Sequence, residues 1–278
     1  IGPNSGHDDT DRPGRGHGTN VYAQNTLDPD SYTDDEVKKI EDCMFGPCFN
    51  DVPLQIFATA GDVIGFRVKD TVILGGKAIA GGHVSGDVIE FDKVWIPDSD
   101  DGVLTLGYDP EFTGFGNATL TDVVSRGGVD IRGTWESVSQ TNSRLLDSIF
   151  SEVWVKGSAE DDDRATVVIV QSPPMPTVAV DLSGLNLTHG RAYCLVSGYN
   201  YTQGVPFTFD SGDPTLTVPI RAAWKTMDAY GHDGADAGSQ TPAPRIAEQA
   251  PGLYPFSIVP QDRWIYNVAT PDFLPAEL

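Results

Sequence analysis

The 278-residue chain carries 40 acidic against 18 basic side chains, a formal charge of −22, and 31 of the acids are Asp. Such a surface repels nucleic-acid phosphates and anionic lipid headgroups, so direct binding to nucleic acid is excluded. Gly and Pro supply 50 residues, a composition of turns and short strands, and no run of about 18 apolar residues offers a membrane-spanning helix.

With only seven Lys beside that Asp excess, the composition points to a halophilic source, where salt screens charge over a few ångströms. The chain opens on Ile1 without a signal-peptide pattern, which reads as a processed or trimmed terminus. In chain order, residues 1–30 lack periodicity and read as a flexible arm. Thr33 followed by Glu36 makes a capping box, and Val37, Ile40 and Met44 form an apolar stripe before Gly46-Pro47. That pattern predicts a short helix over 33–45.

From Val52 the pattern changes to strands. They are expected at Pro53–Thr59, Asp62–Lys69, Val72–Leu74, Asp87–Ile96, Gly102–Tyr108 and Val129–Val138. A Gly-rich loop, Gly75–Gly86, and an aromatic turn holding Phe112 and Phe115 lie between them. Leu120–Ser125 and Ser139–Asp147 are expected as short helical turns. Ser148–Trp224 is the clearest stretch, with strands at Ser148–Lys156, Arg164–Gln171, Thr177–Leu182, Arg191–Gly198, Val205–Asp210 and Thr215–Ala222. Alternation such as Leu216, Val218, Ile220 carries these assignments. Residues 226–278 hold many Pro but also Tyr254, Phe256, Trp264 and Phe273, and are expected as an extended arm lying on an apolar partner.

The expected fold is therefore all-β: a jelly-roll-like β-sandwich spanning 31–225, as one large sandwich or two small ones in tandem. A sub-division near 139–147, the capping helix at 33–45, and arms at 1–30 and 226–278 complete the organisation.

Chemistry is sparse. Asp98, Asp100 and Asp101 before Gly102 form an Asp-rich loop between strands, the candidate Ca²⁺ site, although no Glu stands where an EF-hand requires its bidentate ligand. Glu160–Asp163 and Asp210–Asp213 are similar acidic turns, and the alternative for all three is a solvated turn. Cys43 and Cys48 flank a turn that a disulfide would close, whereas Cys194 reads as a buried thiol. Asn117, Asn186 and Asn200 begin N-glycosylation sequons. His232 with Asp228, Asp233 and Asp236 is a scattered set without metal-ligand spacing. Gly16-His17-Gly18-Thr19 resembles the histidine box of subtilisin-like proteases, but the Gly-Thr-Ser box those enzymes need is absent, and no catalytic residue is assigned.

These features together lead to the expectation of a non-enzymatic structural protein, extracellular or on a virion surface. It would be a virion coat or surface-assembly subunit whose terminal arms engage neighbouring subunits, without nucleic-acid contact or membrane insertion. A secreted carbohydrate-binding sandwich is the alternative, with Ca²⁺ bracing the loops and Trp95, Phe112, Phe115 or Tyr201 stacking on sugar rings. A glycan-active hydrolase on the same scaffold is the third reading.

Overall fold

The structure is a computed structural model that describes residues 21–23, 37–46, 52–58, 62–74, 76–83, 85–97, 103–145, 151–159, 161–171, 175–198, 203–220 and 253–264. Nearly all of the regular structure among them is β. The chain separates into two compact units, Ile1–Phe150 with Asp228–Leu253, and Ser151–Met227 with Tyr254–Leu278. Among the described residues no helix is long and apolar enough to cross a membrane.

The first unit contains β1 (Val21–Ala23), β2 (Lys38–Glu41), β3 (Met44–Phe45), β4 (Leu54–Ile56), β5 (Ile64–Ile73), β6 (Ala78–Ala80), β7 (Asp87–Ile96), β8 (Val103–Leu106), β9 (Phe115–Thr121), β10 (Val124–Ser125), β11 (Gly128–Ile131), β12 (Trp135–Thr141) and β13 (Arg144–Leu145). Every pairing among these strands is parallel. Short strands stack in the order β1-β4-β6-β8-β11, and long strands stack in a second sheet in which β5, β7, β9 and β12 are successive neighbours.

The unit is thus a β-solenoid of about three turns. The column Leu54, Ala78, Leu104, Val129 advances by 24, 26 and 25 residues from one turn to the next. A jelly roll would need antiparallel strands crossing between two sheets; here each chain segment instead returns to lie beside its own previous turn. The same finding removes the helix expected at 33–45. Lys38–Glu41 and Met44–Phe45 pair with β5, so sheet pairing overrides the capping box, and Asp42 at φ 52° interrupts any helical run.

The solenoid interior is filled by side chains. Leu54, Ile56, Ala78, Ala80, Leu104 and Leu106 from the short strands meet Phe66, Val68, Ile89, Phe91, Ala118 and Leu120 from the long ones. All twelve are at most 2% exposed, so the core is dry and close-packed. One set of left-handed bends stacks in register along the long strands: Asp42, Asp70, Lys93, Asp122 and Asn142, with φ of 52, 48, 54, 52 and 53°; a second step sets Gly65 (φ 69°) beside Val88 (φ 50°) near the starts of β5 and β7. Asp and Asn enter this left-handed region most readily of the residues with a Cβ, which explains four of the five choices in the first set.

The second unit contains β14 (Glu152–Gly157), β15 (Ala165–Val170), β16 (Thr177–Asp181), β17 (Ala192–Ser197), β18 (Gly204–Thr208), β19 (Thr215–Pro219) and β20 (Leu253–Pro260). The sheet order is β14-β15-β20-β17-β18, with β16–β19 as a separate antiparallel ribbon. Val167, Ile169, Tyr193, Leu195, Phe256 and Ile258 share one core with Val180 and Val218 of the ribbon. Leu253–Pro260, expected within an extended arm, is instead the middle strand of the five. Pro255 removes one donor, yet its carbonyl still accepts from Gly198 N–H at 2.8 Å, so this proline costs the ladder only half of a residue's bonding.

Candidate functional site

The densest polar cluster lies in the second unit, where the β14–β15 hairpin faces the 3₁₀ turn Gln261–Arg263 that follows β20. Tyr193 OH, fully buried, donates to Asp163 Oδ1 at 2.8 Å and accepts from Thr188 N–H at 2.9 Å. Arg191 donates through Nη1 to Asp163 Oδ2 and through Nη2 to Asp262 Oδ1 at 3.2 Å. Arg263 donates to Asp161 Oδ2 at 2.8 Å, and Arg164 lies 3.3 Å from the same oxygen.

Hydrogen bonding from Tyr193, and after it from Arg191, holds the Asp163 carboxyl below the ordinary carboxylate range despite partial burial. Burial and the facing carboxylate push the Tyr193 phenol up. Three carboxylates (Asp161, Asp163, Asp262) therefore face three guanidinium groups (Arg164, Arg191, Arg263). A charge-balanced set of this kind clamps the chain segment after β20 onto the hairpin. It leaves Asp161 and Asp163 of the acidic tip engaged by arginines.

Beside the hairpin an open cleft of about 540 Å³ is lined by Lys156, Ser158, Asp162, Asp181, Ser183 and Asn186 among others. Its carboxylates serve local turns. Asp181 Oδ1 accepts from Ser183 N–H at 2.8 Å, which keeps its pKa below the ordinary range, and Asp162 Oδ1 meets Asn186 Nδ2 at 3.5 Å. Among the described residues no aromatic side chain lines the cleft.

The remaining sequence-predicted residues separate. Asp98, Asp100 and Asp101 lie outside the described residues, as do Asn200, Cys48, Tyr201, the His232 set and the Gly16–Thr19 segment. Among the described residues no group of three His, Cys, Asp or Glu is placed to hold a metal ion. The Cys43 thiol donates to Glu41 O at 3.1 Å, and burial pushes its pKa up. Asp210 Oδ1 accepts from Gly212 N–H at 2.8 Å, the arrangement of a turn-forming Asp.

The two described sequons differ in setting. Asn186 is an exposed residue outside regular structure. Asn117 sits within β9, where its amide donates to Asp87 Oδ1 at 3.3 Å and its carbonyl accepts from Ser137 Oγ at 2.7 Å. Both ends of the Asn117 side chain are thereby engaged on the outer face of the sheet. Of the aromatics expected to stack on sugars, Trp95 and Phe115 are at most 4% exposed. Phe115 lies flat against Trp135 at 4.6 Å, with Phe112 edge-on at 4.8 Å. Gly107 and Gly133 make room for this cluster, since a Cβ at either would stand 2.9 or 2.5 Å from the Phe115 ring.

The surface aromatics are others, and sequence reasoning passed over them. Tyr22, Phe57, His83 and Tyr108 come from four successive passes of the chain and meet on one corner of the solenoid. Their recurrence just beyond β4, β6 and β8 is the signal that a search for a repeat of about 25 residues would have exposed. No protein-family model, no curated protein and no solved structure matches this chain.

Proposed function

We propose that the chain is a non-catalytic building block that works outside the cell, a surface-assembly subunit whose last solenoid turn pairs with that of a second copy. One observation carries this reading. Ile131 and Leu145, which continue the inward columns of the core, are left 43% and 64% exposed at the end of the stack. Among the described residues, strands β11 and β12 are edge strands of their sheets, and an edge strand with free amides and carbonyls is a template for another chain.

The opposite end supports a closed pair over a filament. Lys38 occupies the inward column of Phe66, Ile89, Ala118 and Val138 and is exposed. Head-to-tail stacking would press the Lys38 side chain against Val138 and take its charge out of water, a desolvation cost. Like-to-like pairing of two last turns avoids it and closes as a two-fold dimer. The acidic coat and the exposed Asn186 loop suit an extracellular setting.

Mass photometry of the full chain in 1 M salt tests the reading. A dimer is expected for the wild-type protein and a monomer for the Ile131→Lys/Leu145→Lys variant. A wild-type chain that stays monomeric at micromolar concentration, or a variant that dimerises equally well, removes the proposal.

A further inference from the structure

On the solenoid corner, Phe57 is 7% exposed and is surrounded by more open rings: Tyr22 at 51%, Tyr108 at 38% and His83 with a 38% exposed side chain. The centroid separations are 6.1 Å for Tyr22–Phe57, 5.5 Å for Phe57–His83, 4.7 Å for Phe57–Tyr108 and 4.6 Å for His83–Tyr108. Interplanar angles run from 54 to 79°, so each ring is fixed by edge contacts with a neighbour. Asp109 stands at the margin, with Oδ2 3.9 Å from His83 Nδ1 and Oδ1 accepting from Glu111 N–H at 2.9 Å. Gly82 lets the pass that carries His83 lie close against the one that carries Phe57, because a Cβ there would stand 2.5 Å from Ala58 O.

We propose that this corner is a carbohydrate-binding platform for a neutral glycan, with Tyr22 and Tyr108 stacking on sugar rings and Asp109 accepting from sugar hydroxyl groups. The distances decide against a cation cage. A quaternary ammonium held between two ring faces needs them roughly twice the ring–cation distance apart, ~8–12 Å; rings 4.6–5.5 Å apart touch each other and leave no such gap. Charge decides against an anionic ligand, because the Asp109 carboxylate borders the rings on a chain of net charge −22. What remains is a ligand with apolar C–H faces and uncharged hydroxyl groups. Partly exposed Tyr rings suit it, since they offer a rigid apolar body with a polar tip and lose little entropy on binding. Tyr22, Phe57 and His83 belong to turns before the one that carries the dimer edge, Tyr108 follows the strand next to it, and glycan retardation is read apart from oligomeric state.

Affinity electrophoresis of the full chain in native gels tests the proposal, with glucomannan, galactomannan, laminarin and dextran as neutral probes and alginate as the anionic one. At least one neutral polysaccharide is expected to retard the protein while alginate does not. Tyr22→Ala and Tyr108→Ala should each weaken binding roughly tenfold, the ratio that ~1.4 kcal/mol of lost ring contact sets. Tyr108→Phe should keep most of the retardation, and Met175→Ala, at an exposed residue of the second unit, all of it. Retardation by none of the four neutral probes, by alginate alone, or unchanged in both Tyr→Ala variants overturns the assignment. Tyr22 is half-exposed on a short strand, so its variant reports on binding even where Tyr108→Ala lowers stability.

Discussion

Lys93 is the odd member of the stacked bends, and replacing it offers a direct measure of what that ladder costs. At φ 54° it occupies a conformation that costs a residue with a Cβ about 1–2 kcal/mol. The equivalent positions hold Asp42, Asp70, Asp122 and Asn142, whose short polar side chains reduce that penalty. Lys93 is exposed, so its side chain contributes little packing that a substitution would lose. Lys93→Asn should therefore stabilise the first unit by about 0.5–1 kcal/mol, a rise of roughly 1–4 °C in the midpoint for a protein of this size. Calorimetric scans belong in 1 M salt, where the Debye length is about 3 Å and loss of one positive charge has little long-range effect. The reciprocal variant, Asp122→Val, places a β-branched residue at φ 52° and should destabilise by about 1–2 kcal/mol. A lower midpoint for Lys93→Asn, or no change in either variant, would refute the claim that strain at the bends is local and residue-dependent.

Two further outcomes are expected in the second unit. Asp163 has a folded pKa below its unfolded value, so its stabilisation is complete above the ordinary Asp value of ~3.9 and is lost as pH falls through the folded one. Asp163→Asn should therefore cost about 1.5–3 kcal/mol at neutral pH, and the deficit should shrink as pH falls below the ordinary Asp value; denaturant titrations in which it stays constant down to the most acidic pH where the wild type still folds would contradict this. Burial pushes the Cys194 thiol up to about 12, leaving roughly one part in 10⁴ as thiolate at pH 8. Iodoacetamide followed by peptide mapping should label Cys194 only after denaturant is added, and rapid native labelling would show the site to be open.

The second unit was legible where antiparallel pairing leaves a period of two. Strands β14 to β19 match the six segments that alternation outlines between Ser148 and Ala222, with only Gly157 and Gly204 reaching one residue beyond them. The C-terminal strand was not legible, because Pro255 and Pro260 argue against a central position and only the tertiary setting shows that Tyr193 to Ser197 accept it as a neighbour. In the solenoid, Val72, Ile73 and Leu74 are all buried and show no alternation, and the turns share character rather than identity. The recurring element is a polar residue, then Asp, Asn or Lys, and then an apolar pair or its polar stand-in, as in Glu41-Asp42, Lys69-Asp70, Asp92-Lys93, Thr121-Asp122 and Thr141-Asn142. Its spacing of 28, 23, 29 and 20 residues hides it from any search for a fixed period. Of the proposed sugar platform, the sequence offered single aromatic residues far apart; only coiling brings Tyr22 within 6.1 Å of Phe57.

That uneven spacing has an evolutionary reading. The rungs keep their register while the corners absorb every difference in length, so loops can be traded at the rim without disturbing the stack. Whole turns can equally be gained or deleted, and each would change the axial height by one strand spacing, about 4.8 Å. Relatives of this chain would then differ in reach by discrete steps, like rulers cut from the same stock.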